Sequence, residues 1–224
     1  MARGRLIVFE GPEGAGKTTQ LRRLASWLES RGIPFTGVRE PGGTTLGAEI
    51  RRLLLDPERE MTPRAEALLF MASRAELAAQ VIAPKLDQGE MVLADRFFLS
   101  TYAYQVAGRG LPEQEIRAAN ALATGGIVPD LTLLFVVPPE HRWRRAELRG
   151  APDRMERAGD AFHARVERAF AMALAPDWQL DHPECGPIIA VRGDGSEAEV
   201  FARVLALLGE RWPETFSVLD ESHP

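Results

Sequence analysis

The 224-residue sequence contains one cysteine, Cys185, so no internal disulfide can form, which fits a reducing compartment and leads us to expect a cytoplasmic protein. Basic charge is not in excess. The 27 lysines and arginines face 32 acids, a formal net charge of −5, which provides no overall basic field for a nucleic-acid polymer. Counted as uninterrupted apolar residues, no run reaches membrane-spanning length. The first five residues lead directly into an apolar strand pattern, leaving no room for a signal peptide. The four histidines, at 141, 163, 182 and 223, lack metal-ligand spacing and read as structural or surface residues. Cys185 lies in a turn-like Pro-Glu-Cys-Gly-Pro stretch and reads as inert. Lysine is nearly absent: of the 27 basic residues only Lys17 and Lys85 are lysines.

What is present is an alternation. Apolar strand patterns at Leu6–Phe9, Phe35–Arg39, Met91–Asp95, Leu131–Val137 and Ile188–Val191 are separated by helical periodicity. The helical stretches are Thr18–Ser30, Leu46–Leu55, Pro63–Gln88, Pro112–Ala123, His141–Leu148, Ala161–Ala173 and Glu197–Arg211. Continuously apolar strands are those buried on both faces. The expected architecture is therefore α/β, a five-stranded parallel sheet flanked by helices. Residues 1–212 are expected to form a single domain and 213–224 a polar, loosely held tail.

After the first strand come Gly11-Pro12-Glu13-Gly14-Ala15-Gly16-Lys17-Thr18, followed by Thr19 and a helical pattern. This is the G-x-x-x-x-G-K-[ST] phosphate loop in its strand–loop–helix context. Its glycines let backbone N–H groups turn inward around an anion, and the helix N-terminus adds positive potential. Lys17 can reach the β- and γ-phosphates of ATP, and the Thr18 hydroxyl can ligate Mg²⁺. Where arginine is the default cation, a lysine in this slot points to a compact ammonium being required there. Asp95 ends the third strand, where a phosphate-loop enzyme holds Mg²⁺ or its waters; the alternative is an aspartate that caps the next helix.

A phosphate loop alone does not name a reaction. Neither lysine follows an asparagine, so the Asn-Lys-x-Asp guanine reader of a GTPase is absent. Arginines lie near expected strand ends and helix faces instead: Arg39, Arg51, Arg74, Arg96, and eight between Arg142 and Arg168. Guanidinium groups suit an acceptor phosphate and a moving phosphoryl group.

Five segments then give the chain a specific likeness: 9–20 (FEGPEGAGKTTQ), 39–44 (REPGGT), 69–74 (LFMASR), 95–105 (DRFFLSTYAYQ) and 149–156 (RGAPDRME). On these the sequence resembles the bacterial thymidylate kinases, P-loop nucleoside-monophosphate kinases, through about residue 211. The resemblance implies transfer of the ATP γ-phosphoryl group to dTMP, with Mg²⁺, and a homodimer. Deoxynucleoside kinases differ by carrying Glu-Arg-Ser where this chain has Asp95-Arg96-Phe97.

The resemblance also implies roles. Phe70 would stack on thymine, Arg74 would donate to a thymine carbonyl, and Gln105 and Thr101 would complete the base contacts. Arg51 and Arg96 would grip the acceptor phosphate. Glu40 would sit near the transfer site, and Glu10 near the ribose or the metal. Tyr104 would crowd ribose C2′. Residues 142–160 look like the family's lid, and Arg149 would supply catalytic charge, with Arg145 and Arg154 as alternatives, because the phosphate loop has no arginine of its own.

Each residue has a plainer alternative. Phe70 could be core, Arg74 could form a solvated helix pair with Glu66 or Glu76, and Tyr104 and Gln105 could be ordinary helix residues. The arginines of 142–168, facing five acids, could be a salt-bridged surface. Trp27 and Trp143 read as helix-packing residues. The alternative functions are a kinase for another nucleotide or deoxynucleoside, and an ATP-binding switch without phosphotransfer.

Overall fold

The computed structural model describes residues 3–138 and 153–216. Five parallel strands form one sheet in the order β2-β3-β1-β4-β5, where β1 is Leu6–Glu10, β2 Phe35–Arg39, β3 Met91–Asp95, β4 Leu131–Val136 and β5 Ile188–Arg192. The central strands β1 and β3 are buried along their whole length. Side chains alternate across β1: Leu6 and Val8 enter one apolar layer, Ile7 and Phe9 the other. The Ile7 and Phe9 layer is completed by Leu24 and Leu28 of α1 (Lys17–Ser30) and by Val200, Val204 and Leu208 of α9 (Glu197–Arg211).

Helices α2 (Thr45–Leu55) and α3 (Pro63–Leu77) pack on each other. The second begins with Pro63 after a Thr62 cap, and the Thr44 side chain caps the first. The expected single helix over Pro63–Gln88 is observed with one internal change. It widens to π geometry at Ala78–Ile82 before α4, Ala83–Asp87. The run Pro63–Asp87 is long and apolar enough, by length and composition, to cross a membrane, which counting uninterrupted apolar residues had not indicated. It carries the buried Glu66 and Arg74 and packs against α2 and α6 (Glu113–Thr124).

One helical stretch escapes the periodicity altogether. Phe98–Thr101 (α5) continues as a π-helix over Tyr102–Gly108. Residues 98–105 are buried on every side, so no polar face marks a helix in the sequence. Gly108 lets this segment meet α7 (Asp160–Met172), since a Cβ there would lie 2.6 Å from the Phe162 ring. The short α8, Pro176–Asp181, was likewise not anticipated.

The tail expectation is corrected over its first four residues. Pro213–Phe216 form a helical turn, α10, whose Phe216 is buried and stacks on Trp27 at 5.5 Å. Residues 217–224 and the expected helix His141–Leu148, with Trp143, lie outside the described residues.

Candidate active site

Strands β1 and β3 deliver their carboxyl ends side by side. The chain leaves β1 through Gly11, whose φ is 135° and where a Cβ would lie 2.7 Å from the Phe135 carbonyl oxygen. The loop wraps the first turn of α1, and the Lys17 ammonium donates to the Gly11 and Pro12 carbonyls at 2.7 and 2.8 Å. Burial, and then the adjacent Arg96 charge, push the Lys17 ammonium down to about 7. Phosphate oxygens in the loop would favour its charged form. The Thr18 hydroxyl donates to Asp95 Oδ2 at 2.5 Å, tying the head of α1 to the end of β3. A hydroxyl and a carboxylate so placed are hard oxygen donors that fit Mg²⁺.

Arg96 follows Asp95 with φ 74°, the one non-glycine positive φ among the described residues, a conformation that costs about 1–3 kcal/mol. The surroundings over-determine it. Its N–H bonds Phe9 O at 3.0 Å, and its guanidinium donates to Gly11 O, Ser100 Oγ, Glu13 Oε1 and the Tyr104 hydroxyl. Tyr104 in turn donates to Glu13 at 2.6 Å, and its ring lies under the Arg96 guanidinium. Burial works to raise the Glu13 carboxyl, but Arg96, Lys17 and the Tyr104 hydroxyl outweigh it and hold Glu13 below the usual carboxylate range.

Glu10 is where expectation and structure part. It is fully buried, does not line the cavity, and accepts from the backbone N–H groups of Phe97 and Ser100 and from Ser100 Oγ. It caps the start of α5 and lies 3.9 Å from Arg96, so it shapes the Arg96 turn.

Arg74, on α3, is buried with all five N–H donors committed. Nε and one terminal nitrogen donate to Glu40 Oε2 at 2.8 and 2.5 Å. The rest go to Phe97 O at 3.0 Å, to Thr101 Oγ1 at 2.8 Å and to Asn120 Oδ1. The plainer alternative, a solvated helix pair with Glu66 or Glu76, is therefore not what forms; Arg74 makes a buried pair with Glu40. A direct bond from Arg74 to a base would have to displace one of these acceptors. Burial, against the opposing Arg74 charge, raises the Glu40 carboxyl above its ordinary range.

A cavity of about 140 Å³ opens between these groups. It brings together Lys17, Thr18, Glu40, Arg51, Phe70, Arg74, Asp95, Arg96, Thr101, Tyr104 and Gln105, with Glu13 of the phosphate loop. Phe70 is half-buried in the cavity wall rather than in the core. Arg51 donates to Pro41 O at 2.9 Å, and burial, then Arg39, lower its pKa. Ser100, Asp153, Met155 and Glu156 also line the cavity. Sequence reading had not singled out Ser100, although it stands one helical turn from Arg96.

Of the arginines expected to supply catalytic charge, Arg149 and Arg145 lie outside the described residues. Arg154 is described and committed elsewhere. Its Nε donates to Leu54 O at 2.8 Å and a terminal nitrogen to Glu66 Oε2 at 2.7 Å.

On the other side of the phosphate loop a hollow of about 430 Å³ is bounded by Ala15, Gly16, Thr19 and Gln20 and by Gly193, Gly195, Ser196 and Glu197. Sequence reading missed the second wall. Its signal was the Gly-Asp-Gly-Ser run before α9, where Ser196 and Glu199 form a capping box. A Cβ at Gly193 would lie 2.4 Å from the Val137 side chain.

His182 is buried and stacked on Trp178, and His163 bonds Glu156 O; neither lines either hollow, and both read as structural histidines. His141 and His223 are outside the described residues. Burial pushes the Cys185 thiol well up, as its inert reading requires.

Comparison with known proteins points one way. The family model described as thymidylate kinase matches residues 9–180. A thymidylate kinase of Deinococcus radiodurans is 44% identical over 211 residues, covering 94% of this chain and 99% of the relative. One from Carboxydothermus hydrogenoformans is 47% identical over 175 residues, covering 78% and 86%. The crystal structure of thymidylate kinase from Ehrlichia chaffeensis superposes with a TM-score of 0.71 at 29% identity, covering 92% of this chain and 99% of that one.

Proposed function

The chain belongs to the thymidylate kinase family and phosphorylates dTMP to dTDP with ATP, and on that premise we propose how its residues divide the work. Lys17 and the loop of Gly11, Pro12, Glu13, Gly14, Ala15, Gly16, Thr18 and Thr19 hold the ATP phosphates, the non-proline residues through their backbone N–H groups. The hollow between this loop and 193–197 takes the nucleoside end. Arg51 and Arg96 hold the dTMP phosphate, Phe70 stacks on the base, Thr101 and Gln105 meet its edge, and Tyr104 crowds C2′. Arg74 shapes the base end and fixes Glu40. The observation that carries this division is the sharing of one cavity by Lys17 and Thr18 with Arg51, Phe70 and Arg96.

A dTMP phosphate oxygen forms a bond to the γ-phosphorus of ATP. The bond from that phosphorus to the β–γ bridging oxygen breaks, and ADP leaves with the electron pair. No covalent enzyme intermediate is required, so these residues act by positioning and by neutralising charge. Mg²⁺ held by Thr18 and Asp95, partly through water, would neutralise phosphate charge there. Arg149 adds positive charge from the lid, about residues 142–160. Residues 1–212 act as one kinase unit.

We also infer a cytoplasmic homodimer. Exposed leucines on the adjacent helices α2 (Leu46, Leu53) and α3 (Leu68) support the second half of that reading, and light scattering after size exclusion tests it. An ADP-release assay across dTMP, dUMP, dCMP, dGMP and thymidine tests the site. We expect dTMP to be preferred and thymidine, which lacks the phosphate that Arg51 and Arg96 hold, to be inactive. Equal turnover of thymidine would overturn the placement of the acceptor phosphate.

A further inference from the structure

Glu66 stands on α3 one turn before Phe70 and is fully buried. Every lone-pair site of its carboxylate has a donor. Oε1 accepts from Gln105 Nε2 at 2.9 Å and Arg109 Nε at 3.1 Å; Oε2 accepts from Arg109 at 2.8 Å and Arg154 at 2.7 Å. Two guanidinium groups hold this carboxylate ionised, and an ionised carboxylate only accepts. The Gln105 amide must therefore turn its NH₂ toward Glu66. Its carbonyl oxygen is left on the opposite side, without a protein partner among the described residues, on a side chain that lines the cavity. The donors of Arg74 are already committed, so the Gln105 carbonyl is the amide group free to read a base edge.

We propose that Glu66 is a positioning residue that locks the Gln105 amide with its carbonyl toward the acceptor nucleotide, and so favours a base that presents a ring N–H. The imide N3–H of thymine or uracil meets that carbonyl as a donor. Cytosine presents a bare N3 acceptor at the same place, and two acceptors face each other unpaired. Glu66 itself touches no substrate. This proposal rests on the reading of the cavity as the dTMP site.

The test compares wild type, Glu66→Gln, Gln105→Leu and the double variant. The readouts are KM for dTMP, KM for ATP and the inhibition constant of dCMP against dTMP. With Gln at 66 the neighbouring amide no longer has an imposed direction. Selectivity for dTMP over dCMP is expected to fall about tenfold or more, mainly through KM for dTMP, with KM for ATP unchanged. In the Gln105→Leu background the same change at 66 should have no further effect on selectivity. Unaltered selectivity in Glu66→Gln, or an equal loss in both backgrounds, overturns the proposal. If Gln105→Leu alone changes neither KM for dTMP nor selectivity, the base-pocket reading fails and the proposal with it. If Gln105→Leu does change them while Glu66→Gln does not, only the proposal fails. The exchange Glu66→Gln with Gln105→Glu keeps one carboxylate in the cluster, for the case in which Glu66→Gln does not fold. It returns an acceptor to the cavity and should restore the preference for dTMP; an exchanged protein without that preference overturns the proposal.

Discussion

Thr18 and Asp95, 77 residues apart, are joined by a 2.5 Å hydrogen bond from the threonine hydroxyl to the aspartate. The bond exists because β1 and β3 pair in register, Phe9 opposite Asp95, so the phosphate loop and the end of β3 emerge together. These two oxygens would hold Mg²⁺ there in place of the contact they make with each other. Asp95→Asn keeps the shape and the hydrogen bond but removes the charge. It is expected to raise the Mg²⁺ concentration for half-maximal rate and to lower kcat at least tenfold, measured by titrating Mg²⁺ at saturating ATP and dTMP. An unchanged Mg²⁺ requirement would leave Asp95 as a structural cap.

Lys17 reaches two loop carbonyls with a single nitrogen. A planar guanidinium cannot place one donor between two carbonyls and still point at a phosphate. Lys17→Arg is therefore expected to be as inactive as Lys17→Ala, both with a native circular dichroism spectrum. Near-normal turnover in Lys17→Arg would refute the inference drawn from the scarcity of lysine.

Arg74 neutralises the buried Glu40 and fills the oxygen acceptors of Thr101, Asn120 and Phe97. Removing one partner of a buried ion pair strands the other, at a cost of about 3–5 kcal/mol. Arg74→Ala is expected to lose stability on that scale in urea unfolding and to weaken dTMP binding together with it. A variant of native stability that binds dTMP poorly would restore the direct base contact first expected of this residue.

How much could be read beforehand follows from what each signal is made of. The strands, α1 and α9 announced themselves through local periodicity, and the phosphate loop through spacing. The helix at 98–108 did not, because a segment buried all round has no polar stripe. Arg96 and Tyr104 stand in a segment that carries the family likeness, Arg51 was expected from that likeness alone, and all three line the cavity. The partners of Arg74 could not, since Glu40 and Asn120 come from distant elements that only the fold brings together. The partners of Glu10 were hidden for the same reason: its position at the end of β1 is legible, but its side-chain direction is set by the N–H groups of Phe97 and Ser100.

Glu66 also makes stability depend on pH. Burial alone would raise its carboxyl, but hydrogen bonds from Arg109, Gln105 and Arg154 outweigh that and hold it below its ordinary value of 4.5. A carboxyl whose pKa is depressed on folding contributes stability that is present above about pH 4.5 and is lost as pH falls through the folded value. Urea midpoints of wild type and Glu66→Gln are expected to lie well apart at pH 7 and to converge toward pH 3. A gap that is constant across this range would mean that the carboxylate charge is not what stabilises the cluster.

The two lid-region arginines are expected to fail in different ways. Arg154 is held by Glu66 and the Leu54 carbonyl, so its loss disturbs the wall of the dTMP pocket. Arg154→Ala should raise KM for dTMP and lower the unfolding midpoint, with a smaller change in kcat. Arg149 lies beside Gly150, and the phosphate loop offers no arginine of its own, so on the proposed reading Arg149 supplies the cation that meets the charge developing on the moving phosphoryl group. Loss of a group that engages only as charge develops lowers kcat and leaves ground-state binding alone. Arginine fingers are worth about 10³–10⁵ in rate, so Arg149→Ala should lose at least a factor of ten in kcat with KM for ATP little changed. Steady-state kinetics on both variants, with urea unfolding alongside, separates the two roles. If Arg149→Ala keeps wild-type kcat, the catalytic cation is not Arg149. If Arg154→Ala instead loses kcat alone, its bond to Glu66 is broken during turnover and the catalytic role passes to it.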